Sequence, residues 1–354
     1  MTTEYHKAPP TEAVLGPLPA DDAVPPAAQV PVSRGLSLPR RTWAGTINLR
    51  SSRIGLIGFS MVMLWVVVAL FAPLLERYNP NDQVVAPLPP GATFLDLPPG
   101  AFPSPEPYRA DDPATPADET IQGYVAVNTG PSSVAWFGTD DRGRDVYSRL
   151  VAGTRQVMTI APISILIGAA IGILLGLIAG YKAGWIDEVL MRILDAIIAF
   201  PAILIFLLVV SSLGASRYTV VAAIALAAVP GVARLARAMA LDLRSREYVS
   251  AARLRGEGAL YIMVREILPN ARGPIVIDLT LRMAYAVFAI ATLGFLGLGL
   301  PPPTPDWGTM VAEARNFVGQ NPWAAVFPAA AIATLVVGLN LMADGIRQEG
   351  ARYR

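Results

Sequence analysis

EYVSAARLRGEGALYIMVREILPN, residues 247–270, is a polar, arginine-flanked stretch set between two apolar runs of the chain. Glu247 to Arg255 is built of good helix formers, with Ala251 and Ala252 at its centre. Gly256 and Gly258 interrupt it, Leu260 to Leu268 resumes a helix, and Pro269 ends that helix. Glycine permits the sharp reversal that a helix–turn–helix needs. Small alanines let another surface approach closely, while the arginines can grip acidic groups. A soluble-side segment locked between membrane spans is where a subunit can be pushed by an engine that it does not itself contain. The plainer reading is a solvated amphipathic connector anchored by basic residues.

Composition supports a membrane setting. The chain is 53% hydrophobic and 16% charged, against about 25% charged in ordinary soluble domains. A net charge of +1 gives no electrostatic case for nucleic acid. There is no cysteine, which removes disulfides, thiolate nucleophiles and sulfur-ligated metals. His6 is the only histidine, so His-based catalysis and His-rich metal sites are excluded as well; no metal site is expected. Neither Lys7 nor Lys182 sits in a Walker A phosphate loop, so the chain is not expected to hydrolyse ATP.

A helix needs about 20 apolar residues to cross a bilayer. Six such runs are predicted: Ile54–Leu75, Val157–Tyr181, Val189–Leu213, Tyr218–Arg237, Pro274–Phe295 and Trp323–Ala343. Arginines sort to one side. They stand before the first run (Arg34, Arg40, Arg41, Arg50, Arg53), between the fourth and fifth (Arg244, Arg246, Arg253, Arg255, Arg265, Arg272), and at the end (Arg347, Arg352, Arg354). These segments, and both termini, are therefore expected to be cytoplasmic. Residues 78–130 are acidic and fall outside; Arg142, Arg144, Arg149 and Arg155 oppose that assignment, but long loops cross regardless of charge. The expected organisation is a disordered cytoplasmic tail at 1–50, a first span at 51–76 and a long extracytoplasmic loop at 77–155. A core membrane domain at 156–345 and a cytoplasmic C-terminus at 346–354 follow. PLPPG, LPPG and PSPEP make polyproline-like and turn structure the expectation for the outer loop.

The residue pattern resembles the EAA loop of importer-type ABC permeases. Ala251 and Ala252, Gly256, then Leu268-Pro269 match its spacing, with Ser250 where that loop usually has glutamate and Glu266 where the subfamily usually has histidine. Four further stretches are similar to the second ("C"-type) dipeptide/oligopeptide/nickel permeases. They are FGTDDRGRDVYSRLVAGTR (Phe137–Arg155), MRILDAIIAFP (Met191–Pro201), LGFLGLGLPPPTPDWGTM (Leu293–Met310, with Gly294 for serine) and LNLMADGIRQ (Leu339–Gln348). The resemblance implies an all-α type I importer fold of six spans forming half of a translocation pathway by alternating access. It implies a homologous second permease, two ATPase subunits (or one fused) that carry ATP and Mg, an extracytoplasmic solute-binding protein, and a multi-pass place in the inner or plasma membrane. Coupling to the ATPases falls to Glu247, Tyr248, Ala251, Ala252, Arg253, Arg255, Gly256, Leu268 and Pro269. Dipeptides or oligopeptides lead as substrates, with nickel or another small solute as the alternative.

Other residues carry two readings each. Asp140, Arg142, Arg144 and Asp145 could bind a partner outside or form a self-satisfied salt-bridged turn; Trp307 could anchor at the interface or belong to a gate. Gly294, Phe295, Leu296, Gly297, Leu298 and Gly299 read as tight packing near the outer end of span five, with gating as the sharper hypothesis. Arg192 and Asp195 suggest an ion pair on one helix, Asp278 and Arg282 another, and Arg234 and Arg237 are expected to snorkel to the cytoplasmic surface. A stand-alone secondary transporter would want a mid-membrane ion relay, which the uncharged second and sixth spans do not offer. A membrane aspartyl protease would want two facing mid-membrane aspartates, whereas Asp195 and Asp278 are expected near span ends.

Overall fold

The computed structural model describes residues 52–87, 101–104 and 123–352. The tail at 1–50 and most of the proline-rich outer tract lie outside the described residues. In chain order the elements are α1 (Arg53–Leu70), α2 (Ala72–Leu75), β1 (Val85–Pro87), β2 (Phe102–Pro103), β3 (Gly123–Val125), α3 (Val146–Lys182), α4 (Trp185–Ile198) and α5 (Ala202–Leu213). Then come α6 (Arg217–Leu243), α7 (Glu247–Leu254), α8 (Ala259–Tyr261), a π-helical segment (Ile262–Ile267), α9 (Leu268–Phe295), α10 (Trp307–Ala314) and α11 (Trp323–Arg352). Among the described residues five helices are long and apolar enough to cross a membrane, or six if the bent pair α4 and α5 counts as one span.

Three of the long helices begin where the sequence supplies a capping side chain. Ser52 accepts from the Gly55 amide to start α1, and Asp145 from the Ser148 amide to start α3. Ser216 and Thr219 form a reciprocal capping box at α6. The second helix therefore starts at Val146, a turn or more before the predicted apolar run, because GRD is its cap.

The packing of α3 on α6 explains the small residues of the fourth span. Gly168, Gly172, Gly176 and Gly180 recur every fourth residue along α3. A Cβ at Gly168, Gly172 or Gly180 would lie 2.6–2.8 Å from the carbonyl oxygens of Ala225, Val229 and Arg237, and one at Gly176 would collide with that of Ala233. Bare backbone lets the two helices touch along their length, which is how helices associate where lipid removes the hydrophobic incentive. α1 crosses α11 in the same way, Gly55 against Gly345 and Gly58 against Gly338 and Met342. Among the described residues the two larger apolar clusters lie around Ile160, Ile290, Leu293, Trp307 and Leu335, and around Leu177, Leu243, Val249, Ile262 and Ile267.

Several expectations are corrected. The third span is not one straight helix: α4 and α5 meet at 84°. Pro201 has no amide hydrogen to continue the ladder, and its ring excludes helical geometry at the residue before it. Pro269 does not end a helix but stands in the first turn of α9, where a missing N–H costs nothing. The helical path is continuous from Ala259 to Phe295, so Asp278 stands near the middle of one long helix. Arg192 pairs with Glu188 (3.4 Å), while Asp195 pairs across to Arg234 (2.6 Å). Arg237 pairs with Asp187, so neither α6 arginine is a snorkelling charge facing only water. The Asp278–Arg282 pair forms as expected, at 2.6 Å. Between α2 and α3, β1, β3 and β2 form a small antiparallel sheet with Val85 opposite Val125 and Phe102 on the other side of Val125. Short strands paired across so long a tract leave no local signature, so turn chemistry dominated the reading there.

Candidate functional site

α7 is held against the ends of three long helices by one face only. Val249 and Ala252 are buried in the cluster with Leu177, Leu243, Ile262 and Ile267, whereas Glu247, Ala251, Arg253 and Arg255 face outward. The adjacent alanines thus divide their labour: Ala252 seats the helix and Ala251 presents a flat surface. Arg253 lies 5.1 Å over the Tyr181 ring at the end of α3, and Arg244 donates to the Gly180 carbonyl at 3.3 Å. Tyr248 is half-buried, its hydroxyl has no hydrogen-bond partner among the described residues, and burial pushes its phenol above the ordinary range.

Gly256 then turns the chain. Its φ is +81°, its amide donates to the Arg253 carbonyl at 2.9 Å, and the Glu257 amide donates to the Ala252 carbonyl at 3.2 Å. Those two bonds are a Schellman closure, which requires a left-handed residue at this place. Arg255 spans the turn to Glu266 at 3.6 Å, so the glutamate that departs from the family pattern has a partner on the neighbouring element. Leu254 (90% exposed), Leu260 (68%), Tyr261 and Val264 form an apolar crest on the outward side of the turn. The motif reading passed over these four; apolar residues in an otherwise polar loop were the available signal. Leu268 is half-buried, and Pro269 is exposed where α9 begins.

At the other end, the GTDDRGRD tract folds inward. Asp140 accepts from the Arg142 and Arg144 amides, from the Arg144 Nε at 2.8 Å and from the Arg149 Nη1. Glu313 on α10 accepts from Arg142 (3.3 Å), Arg144 (3.0 Å) and Arg149 (2.8 Å). Asp140, Arg144 and Asp145 are buried, so the tract is a salt-bridged lock between α3 and α10, and only Arg142 remains presented outward. Glu313, too distant in sequence to be associated with it, is the centre of the lock. Asp140, Asp141 and Glu313 bring carboxylate oxygens within 4.8 Å of one another, but Arg144 and Arg149 already neutralise them. Burial, then repulsion from Asp140 and Glu313, hold the Asp141 carboxyl above its usual range. Trp307 is fully buried, donating to the Leu150 carbonyl at 2.9 Å and meeting Trp65 edge-on at 5.0 Å. It is a core residue, neither an interfacial anchor nor exposed to a pathway.

The LGFLGLG tract closes α9 with a second Schellman turn: Gly297 has φ +75°, its amide bonds to Gly294 and that of Leu298 to Leu293. Gly294 and Gly299 leave room for the carboxyl of Asp306, which caps α10. Glycine in place of serine at 294 is thereby explained. Desolvation raises the Asp306 carboxyl despite its donors. Phe295 and Leu296 are exposed, the former under Arg315 at 5.7 Å.

These features define a polytopic helical membrane protein with a rigid helix–turn–helix knuckle at one end of its long helices and a salt-bridged cap at the other. The chain belongs to the family of binding-protein-dependent transport system inner membrane components, whose pattern matches residues 172–348. It is 42% identical over 224 residues, 63% of this chain and 74% of the other, to the glutathione transport system permease protein GsiD of Pectobacterium atrosepticum. It is 35% identical over 298 residues, 84% and 90% of the two chains, to the dipeptide transport system permease protein DppC of Haemophilus influenzae. It is thus an ABC importer permease of the peptide family, a type that does no chemistry of its own.

Proposed function

We propose that this chain forms half of the translocation pathway of an ATP-driven importer of dipeptides or oligopeptides. It works with a homologous second permease, two ATPase subunits (or one fused) that bind ATP and Mg, and an extracytoplasmic solute-binding protein. Both termini face the cytoplasm. ATP-driven closure of the ATPases pushes on α7, and because Val249 and Ala252 seat α7 against α3, α6 and α9, the push reaches those spans directly. The permease then needs only two packings of similar energy.

The observation that carries this reading is the apolar crest of Leu254, Leu260, Tyr261 and Val264 beside Arg253 and Arg255. Apolar side chains on the water side of a membrane protein are an interaction surface, and its arginines suit acidic groups on a partner. The names of the relatives favour peptides over nickel as cargo. The test is a pull-down of the tagged chain in mild detergent, with mass spectrometry of the co-purifying proteins. A second six-span permease and ATPase subunits are expected, and Leu254→Asp should release the ATPases while retaining the permease. A clean homo-oligomer with no ATPase would refute the proposal.

A further inference from the structure

We propose that the Asp278–Arg282 pair in the middle of α9 is a contact point for the charged chain ends of a peptide in transit. The inference rests on the peptide-importer reading above. It begins from how little of the pair is used. Arg282 donates through Nε alone to Oδ2 of Asp278 at 2.6 Å; among the described residues, neither Nη of Arg282 nor Oδ1 of Asp278 has a partner. Arg237 and Asp187 close a two-bond fork instead, through Nε and Nη2. Arg149 in the outer lock keeps only 4% of its side chain exposed, against 23% for Arg282 and 26% for Asp278.

Position gives the open edges meaning. The pair sits at the centre of the Ala259–Phe295 helix, and the Arg282 guanidinium lies over Gly231, near the middle of α6. Any side chain at 231 would collide with that guanidinium, so the glycine is what leaves room for it between the two helices. One turn further along the same face Tyr285 is 74% exposed, its hydroxyl without a partner among the described residues, and Phe288 follows at 62%. Ionisable groups inside a span are expensive, and those that serve structure alone are expected to be fully satisfied. Here a guanidinium keeps a free fork that matches a carboxylate, and a carboxylate keeps a free oxygen that matches an ammonium. A zwitterionic peptide carries one of each, with an apolar or aromatic body suited to the Tyr285–Phe288 face.

The experiment uses proteoliposomes holding the assembled transporter with its co-purifying subunits and binding protein. Uptake of labelled alanyl-alanine is compared with uptake of its C-terminal amide and its N-acetyl derivative. Arg282→Gln is expected to lower uptake of the free dipeptide about tenfold or more, the scale of one lost charge-assisted contact, and to spare the amide. Asp278→Asn is expected to penalise the free-amine dipeptide relative to the N-acetylated one. Arg282→Lys keeps the charge without the planar fork, and serves in the same comparison if the Gln variant does not assemble. Equal losses for all three peptides, no loss, or full rescue by the swap D278R/R282D would overturn the inference and mark a purely structural pair. An unmodified transporter that takes up no dipeptide would overturn the reading beneath it instead.

Discussion

Gly256→Val isolates backbone conformation at the knuckle. Among the described residues no atom beyond the chain neighbours lies within 4 Å of where a Cβ at 256 would stand, so a side chain meets no steric obstacle there. The penalty is conformational: φ is +81°, a region that costs an ordinary L-residue about 1–2 kcal/mol and a β-branched one more. If valine opens the turn, the Arg253 and Ala252 carbonyls also lose their Schellman donors, exposed bonds each worth about 0.5–1.5 kcal/mol. A net shift of about 2 kcal/mol reduces the population of the closed turn some ~30-fold relative to its opened form, at tenfold per about 1.4 kcal/mol. Asparagine tolerates the left-handed region and is the control. The assay is solute taken up per ATP hydrolysed by the reconstituted transporter. Gly256→Val should assemble but transport fewer solutes per ATP, and Gly256→Asn should stay near the parent. Equal coupling in all three proteins would refute the reasoning. So would an Asn variant as damaged as the Val variant, since that would point to crowding at a docked partner and not to φ.

Gly176→Val places a branched side chain against the Ala233 carbonyl and the Ala236 Cβ; overpacking of this kind costs about 1–3 kcal/mol and should lower the melting temperature in detergent, and an unchanged melt would show that α3 and α6 can part without loss. Asp141 has a raised folded-state pKa, from burial first and then from Asp140 and Glu313. Its stabilising contribution is therefore fully present below the ordinary aspartate value and lost as pH rises through the raised one. The parent should lose stability across that window relative to Asp141→Asn, as read by melting temperature against pH; a gap that closes as pH rises would contradict the assignment.

The helix and glycine turn at 247–258 were legible because their signals are local. Helix formers, a glycine at the place of reversal and an arginine-rich flank all lie within one short stretch, and Gly256 takes the left-handed turn the spacing demands. The later part of the same stretch misled. Pro269 reads as a helix stop, yet at the start of α9 its missing N–H is no loss, and the π-helical segment before it joins α8 to α9 without a break. The outer lock was half-legible: a salt-bridged turn was one of two readings of Asp140 to Asp145, but Glu313 could not be associated with it.

Residues alone were enough for the long apolar runs, the glycine turn at Gly256 and the family. Each depends on composition or on neighbours within a few residues, against a hydrocarbon thickness that is the same for every protein. Placement in space was needed for the rest. It showed that Asp195 reaches Arg234 and not Arg192, that Ala252 is inside and Ala251 outside, and that Arg144 and Arg149 share Glu313. It also showed that Asp278 stands beside a guanidinium lodged over Gly231. Charges pair by distance, and the distance between residues on different helices is set by how closely α3, α6 and α9 approach, which the glycines permit only once the helices have met.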